Sequence, residues 1–558
     1  MKKYLAMLLA LALVLGMLAG CGAPAPGTPD NTPAAEQEAE NEEPAGEETA
    51  KENINGLELP LTDEKKTLTV LTVWESPLLT DPNEIKGIQA MEERTGVHID
   101  WQTCGQTEML ERFHMVFSTG EYPDIIIQGG TETYSGGYEQ GIEDGVLVDM
   151  DELLEYMPNY SALIHSNPKI EKEAAYDDGK FHGIKTIQGT DTEVRGEGPA
   201  YGITYRKDIL DEMGEELPTT IDGWHDLLVK CRDAGMSAPM TLESDGGTAM
   251  SLAWGVNTDW SNNYWQYDYD TKKVGYGPMM PGFEDWLNTM RDWYAEDLID
   301  KNFTAGNPVI TGDYSNIENN ETMLYDIWFG FMSGSFLTDS GSISNSVYFQ
   351  GFPGVVLNEG DEYTKCVGDG TVGQEIYVTT ACEDPILAAK WLDYLFTKES
   401  VNFRYYGIEG ESYTVEDGVI TYTDKILHPE GDLTPSDELS YYAMRAYGNG
   451  FTNFEAGNKL QIATSPNGKS SQIECIELWA SPTKNLGMPG GVKLNTEENE
   501  TIALYMTDIK TLVQEYMVKY IIGDDTTPYE EFAQKLKDFH IEDCIACYQA
   551  AADRYNAK

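Results

Sequence analysis

Positive charge is scarce in this sequence. Across 558 residues, 37 lysines and arginines face 95 aspartates and glutamates, for a formal net charge of −58. Nucleic-acid binding relies on Lys and Arg to neutralise phosphates, so a chain this acidic is excluded from that class. A strongly anionic ligand would need a local basic pocket, and no cluster of Lys or Arg forecasts one. Histidine is scarce too: there are 7, with no His-x-x-x-His pair, so a zinc or metal-capture site has little to draw on. Apart from Cys21, the cysteines are Cys104, Cys231, Cys366, Cys382, Cys475, Cys544 and Cys547. An odd, scattered set makes a poor disulfide framework, and a chain of this size does not need staples. They are expected to be buried thiols. Beyond the first twenty residues no apolar run approaches the roughly 20 residues needed to cross a bilayer.

Catalytic signatures are also thin. There is no Gly-x-Ser-x-Gly. Gly368-x-Gly370-x-x-Gly373 matches a dinucleotide fingerprint by spacing. Its sequel, Gln374–Thr379, reads as a strand, whereas that chemistry needs a helix N-terminus at the pyrophosphate. A glycine-rich turn before a strand is the expectation. Gly468-Lys469-Ser470 has the end of a phosphate loop, but Ala463 occupies the leading glycine position. Cys544-x-x-Cys547 has metal or redox spacing, yet only His540 lies near and no second pair exists. It reads as two positions of a terminal helix. No cofactor is expected. Carboxylates are too numerous for a glycosidase pair to be singled out.

What is present begins at the N-terminus. Lys2 and Lys3 precede an uncharged apolar run, Leu5–Leu15, and small residues follow, the pattern of a secretory signal over residues 1–20. Leu18-Ala19-Gly20-Cys21 resembles the lipobox of bacterial lipoproteins, which implies acylation (palmitate among the chains) at Cys21. More than one chain on Cys21 would anchor it stably, since each buried methylene adds about 0.8 kcal/mol. Residues 21–60 read as a tether. Its first part is rich in Pro, Ala, Glu and Gly without an aromatic, too polar to offset its ordering entropy. A flexible coil of that length spans on the order of 30 Å.

The body after the tether is long enough for two or three compact units. Thr67–Trp74 and Val97–Trp101 read as strands, and Pro123–Ile127 contains a third. Between them lie helical stretches, one with Ile85, Ile88 and Met91 in register and a stop at Gly96, the other over Met109–Phe117 and closed by Gly120. The β-α-β-α-β order implies a parallel sheet flanked by helices, with ligands beyond the carboxyl ends of its strands. Helical periodicity recurs at Ile209–Met213, Trp224–Cys231, Phe283–Tyr294, Ile386–Phe396 and Ile502–Tyr520. Asp268–Tyr276 reads as a hairpin.

Several segments, in order, resemble family 1 extracellular solute-binding proteins, and more narrowly the long oligosaccharide-type lipoproteins of Firmicutes. They are Arg94–Trp101 (RTGVHIDW), Ser118–Ile126 (STGEYPDII), Asp177–Gly183 (DDGKFHG) and Tyr205–Leu210 (YRKDIL) with Leu217–Trp224 (LPTTIDGW). Further along come Trp293–Asp300 (WYAEDLID), Asp384–Phe396 (DPILAAKWLDYLF), Tyr406–Gly410 (YGIEG) and the tail from Ile521 to Tyr555. Ile184–Lys185 and Gly223 depart from the pattern. The resemblance implies an α/β, two-lobed periplasmic-binding-protein-like fold of type II, with ligand between lobes. The first lobe would take 62–185 plus 376–430, the second 200–370 plus 440–558. It implies no enzyme, but a lipid-anchored protein on the extracytoplasmic face of the cell membrane, delivering a small solute to the membrane subunits of an ABC importer. A monomer is expected. A secreted glycosidase, a peptide-binding protein of the same fold and a surface adhesin are the alternatives.

Neutral sugars present apolar ring faces and hydroxyls, so stacked aromatics beside Asp, Glu, Asn and Gln suit them. Trp74 and Glu75 end the first strand, and Gln128 and Glu375 lie at strand edges. Trp254, Trp260 and Trp265 fall in a loop-like stretch, where Trp254 and Trp260 are candidate contacts. Trp328 and Trp479 sit where the resemblance puts the cleft. Trp101, Trp224, Trp286, Trp293 and Trp391 read as core.

Overall fold

The apolar run after residue 65 forms a strand, Lys66–Val73 (β1), in which Leu68, Val70, Leu71 and Val73 are all buried. Near-continuous burial marks a strand covered on both faces. The computed structural model describes residues 51–558 except 75, 77, 106–107, 130–133, 135, 188–200, 243–249, 260–262, 306–314, 329–348, 369, 445–458, 461–462 and 465–470. At Gln128, Tyr201 and Trp328 the backbone alone is described. Glu75, Trp260 and Gly468–Ser470 lie outside the described residues, as do the signal, Cys21 and the tether up to residue 50.

β1 leads through α1 (Lys86–Thr95) to β2 (Val97–Cys104), then through α2 (Met109–Thr119) to β3 (Ile125–Gly129). Gly96 and Gly120 end the two helices in the left-handed region, at φ 73° and 75°, where a Cβ is disfavoured. The expected β-α-β-α-β order is present. After α3 (Gly137–Glu143) and α4 (Pro168–Ala174) comes β4 (Ile184–Ile187). The chain then builds a second sheet. Its strands are β5 (Tyr201–Arg206), β6 (Met240–Thr241), β7 (Leu324–Trp328) and β8 (Phe349–Gly351), with α5 (Ile221–Asp233) and α6 (Phe283–Ala295) between them. It returns to the first sheet as β9 (Val372–Val378), followed by α7 (Pro385–Tyr394). Later helices are α8 (Ser471–Ala480), α9 (Thr496–Ile522), α10 (Tyr529–Asp538) and α11 (Ile541–Ala557).

The first sheet has the order β2-β1-β3-β9-β4, with β9 antiparallel to both neighbours. The second has the order β8-β5-β7-β6. Each sheet carries its own apolar core. One gathers the residues of β1–β4, β9 and α7, and the other those of β5–β7, α5, α6 and α9–α11. A small third core, with Tyr405, Tyr406, Tyr413, Tyr422 and Tyr442, sits over α1, whose Lys86 and Gly87 N–H groups donate to Tyr441 and Tyr442 carbonyls. Residues 440–444 therefore pack with the first sheet. Within the expected tether, Glu52–Ile54 and Leu57–Leu59 pair as a hairpin that buries Leu57 and Leu59 in the first core.

Trp224, Trp286, Trp293 and Trp391 are buried as expected, and Trp101 packs edge-on against Trp391 at 6.5 Å. Trp265 departs from the loop reading. It lies in a strand of the hairpin Trp265–Asp268/Lys273–Tyr276, 3% exposed, against Tyr276 and Tyr548. Polar neighbours in sequence masked an inward-facing ring. Cys544 and Cys547 both lie on α11, and none of the seven body cysteines is in a disulfide; five are buried as expected, while Cys366 and Cys547 are half-buried. Among the described residues no helix is long and apolar enough to cross a membrane.

Candidate functional site

Because β1, β2 and β3 run parallel, their carboxyl ends share one edge: Val73–Trp74, Cys104 and Gln128–Gly129. β9 enters the sheet from that edge and sets Glu375 opposite Gly129 on one side and Lys185 of β4 on the other. In the second sheet Trp328, at the end of β7, pairs with Tyr201, at the start of β5. Of the expected site residues, Trp74, Gln128 and Glu375 thus fall at one sheet edge and Trp328 at the other.

Glu375 is the best-defined of them. It is half-buried, and the Tyr176 hydroxyl donates to it at 2.7 Å. Lys185, 1% exposed, donates from Nζ to the Ala174 carbonyl at 2.6 Å and lies over the Tyr176 ring at 4.1 Å. Burial holds the Lys185 ammonium well below the usual lysine range and Lys493 adds repulsion, with Glu375 opposing both. Burial also pushes the Tyr176 hydroxyl up, and the Glu375 charge reinforces it. Tyr176 is therefore a fixed donor, and it orients the carboxylate. Sequence reading missed Tyr176 and Lys185. They flank the segment Asp177–Gly183, and nothing in their spacing signals a role.

Next to them His182 bridges two carboxylates, with Nδ1 2.9 Å from Asp149 and Nε2 3.0 Å from Asp178. Burial works against its charge, but these two partners raise its pKa above 6.5. Candidate ligand atoms of Glu139, Asp178 and His182 lie within 4.8 Å of one another. Both ring nitrogens of His182 are already engaged, so the cluster reads as a closed polar array.

Two of the expected contacts are tied into the framework. Trp74 is 7% exposed and its Nε1 donates to the Leu79 carbonyl at 3.0 Å. Trp479, on α8, is 5% exposed, and its Nε1 donates to Ile203 O at 3.1 Å. Its ring fills the space a Cβ would need at Gly202 and crowds Gly351 on the neighbouring strand. Trp254 is half-buried at the end of the turn Met250–Trp254, against the second core.

Known proteins fit this architecture. The family described as bacterial extracellular solute-binding protein matches residues 77–402, more than half of the chain. The chain belongs to that family. This solute-binding protein is 22% identical, over 90% of its length and 93% of the relative's, to the fructooligosaccharide ABC transporter substrate-binding protein FusA of Streptococcus pneumoniae. It is 21% identical to lipoprotein LipO of Bacillus subtilis, over 65% of this chain and 70% of that one. Among solved structures, FusA of S. pneumoniae in complex with kestose aligns with a TM-score of 0.68 at 18% identity, covering 88% of this chain and 99% of that one. Alginate-binding protein AlgQ2 without calcium ion gives 0.67 at 19% identity with the same coverage. The fold is that of type II, two-lobed binding proteins.

Proposed function

We propose that this protein captures an oligosaccharide outside the cell and delivers it to the membrane subunits of an ABC importer, held to the membrane through acylated Cys21 and acting without chemistry of its own. The observation that carries the reading is the end-to-end match, 90% of this chain against 93% of a fructooligosaccharide-binding relative. Ligand is held between the two edges, and the bodies close on it by hinge motion. The first lobe is 62–185 with 376–430 and the second 200–370 with 440–558, residues 440–444 moving with the first. Glu375, oriented by Tyr176, accepts sugar hydroxyls, and Glu75 and Gln128 are the further polar contacts. Trp254, Trp260 and Trp328 supply ring faces. Trp74 and Trp479 act indirectly, through the framework they hold.

Thermal unfolding of the purified protein with a panel of oligosaccharides, monosaccharides and peptides tests this, with each mixture assayed for products. Ligand at 100 times its dissociation constant adds about 2.7 kcal/mol. The expected result is an upward shift with an intact oligosaccharide. Shifts with peptides alone, or a sugar consumed, overturn the reading in favour of a peptide carrier or a glycosidase.

A further inference from the structure

The two bodies touch through more than their chain connections. α11 is rooted in the second core by Ile541, Cys544 and Ala552. Its Gln549 takes the Val274 N–H at 3.0 Å and donates to the Lys272 carbonyl at 3.1 Å. The last turn stays tied to that body through Asn556, which donates to the Tyr267 hydroxyl at 2.9 Å, and it reaches the first body as well. Asp177, beyond α4 of the first body, forms ion pairs with two of its cations: Arg554 Nε lies 3.3 Å from one carboxylate oxygen and Lys558 Nζ 2.9 Å from the other. Lys172 Nζ lies over the Tyr555 ring at 3.9 Å. Arg554 also grips both oxygens of Glu498, in the first turn of α9, at 2.6 Å each. The Thr496 hydroxyl of that turn donates to Gly136 O, at the start of α3, at 3.3 Å.

Beside this seam the connection from β8 to β9 runs along a segment of the second body. Thr364–Lys365 pairs in parallel with Lys484–Asn485. Further on, the two backbones meet at Gly370 and Gly490, where a Cβ on Gly490 would overlap Gly370. The next residue, Thr371, donates its N–H at 2.5 Å and its hydroxyl at 2.7 Å to Glu173, a fully buried carboxylate of α4. The crossing is thus pinned to the first body one residue past its narrowest point.

We propose that the last turn of α11 is an ionic latch across the two bodies, which restrains their rotation about the Gly370–Gly490 crossing. The pairs are half-exposed, Arg554 at 31% and Asp177 at 51%. Ion pairs of that kind are individually weak and yield to salt. That suits a contact which must break and re-form, whereas an apolar seam would lock. The inference rests on the reading that the bodies move relative to each other around a ligand.

The test is hydrogen exchange of the full chain without ligand, comparing wild type with Asp177→Asn and Lys558→Gln. The latch predicts faster exchange, about threefold, in segments 364–373 and 484–494 of Asp177→Asn, with a smaller rise for Lys558→Gln and no change in β1 or α6. Raising salt from about 0.05 M to about 1 M speeds the same segments in wild type and adds nothing in Asp177→Asn. Unchanged exchange at the crossing in both variants overturns the proposal. So does a rise spread through both cores with a lowered melting temperature, which marks a brace of the fold. With no ligand present, failure here leaves the sugar assignment standing, and a failed sugar screen leaves the latch standing.

Discussion

Replacing Trp479 by alanine removes an indole that is 5% exposed, packed over Gly202 and Gly351, and hydrogen-bonded to Ile203 O. Burying such a ring takes about 150–250 Å² out of water, worth about 4–6 kcal/mol at ~25 cal/mol per Å². That is an upper bound, because the unfolded chain already hides part of its surface. Buried Trp-to-Ala changes cost about 3–5 kcal/mol, and a lost hydrogen bond alone about 1 kcal/mol. Trp479→Ala is therefore expected to destabilise by about 3–5 kcal/mol, and Trp479→Phe, which keeps most of the ring, by less. The loss should appear in the unfolding transition of the second body, a downward shift of roughly 10 °C for a unit of that size. Circular dichroism, with tryptophan fluorescence of each transition, reads it. Gly202→Ala, which pushes a methyl into the ring, should shift the same transition by about 1–3 kcal/mol. A Trp479→Ala protein that melts like wild type yet binds sugar a hundredfold more weakly would refute the framework assignment and restore Trp479 as a ligand contact.

Two further outcomes follow from the geometry. Gly490→Ala places a Cβ on the Gly370 backbone, so a loss of about 1–3 kcal/mol is expected in chemical denaturation. A neutral result would mean the two segments separate freely. His182 has a folded pKa raised above 6.5 by Asp149 and Asp178. Its contribution is fully present below pH 6.5 and lost as pH rises through the folded value. His182→Gln should flatten the stability–pH curve above pH 6.5; an unchanged curve would assign that slope to other groups.

Much of the framework was legible from apolar spacing and helix stops. β1 to β3 and their two helices follow from runs such as Thr67–Trp74 and from glycines at 96 and 120, because a doubly covered sheet and a left-handed cap each demand particular residues. The hairpin near Asp268 and the late helices were legible for the same reason. The hairpin at residues 52–59 was not, since its two strands are three residues each and follow an acidic stretch. Individual tryptophans were the least legible. Trp265 follows Asn262-Asn263-Tyr264 and precedes Gln266, and Trp479 stands before a proline-containing turn, yet both rings face inward. What buries Trp479 is Gly202, some 277 residues away in sequence, and no local pattern encodes that partner. Tyr176 escaped for the same reason, since its acceptor Glu375 is 199 residues distant.

The glycine triplet at 368–373 shows how the same spacing can serve a different need. A dinucleotide site uses small residues so that a pyrophosphate can approach the backbone. Here another stretch of backbone makes the approach, with Gly490 against Gly370, while Gly373 already belongs to β9. A crossing that close fixes where the two bodies meet, because any side chain would force the strands apart. It does little to fix the angle between them, since two glycines offer no interlocking side chains. Angular restraint has to come from groups placed away from the crossing. Among the described residues, the charges on Asp177, Arg554 and Lys558 and the Tyr555 ring under Lys172 are so placed. Of the 37 lysines and arginines, Lys172, Lys493, Arg554 and Lys558 meet the carboxylates of Asp177 and Glu498, the Glu173 carbonyl and the Tyr555 ring at this one seam. Screening acts most on half-exposed pairs, so the stiffness of the hinge should follow ionic strength even where the two cores do not.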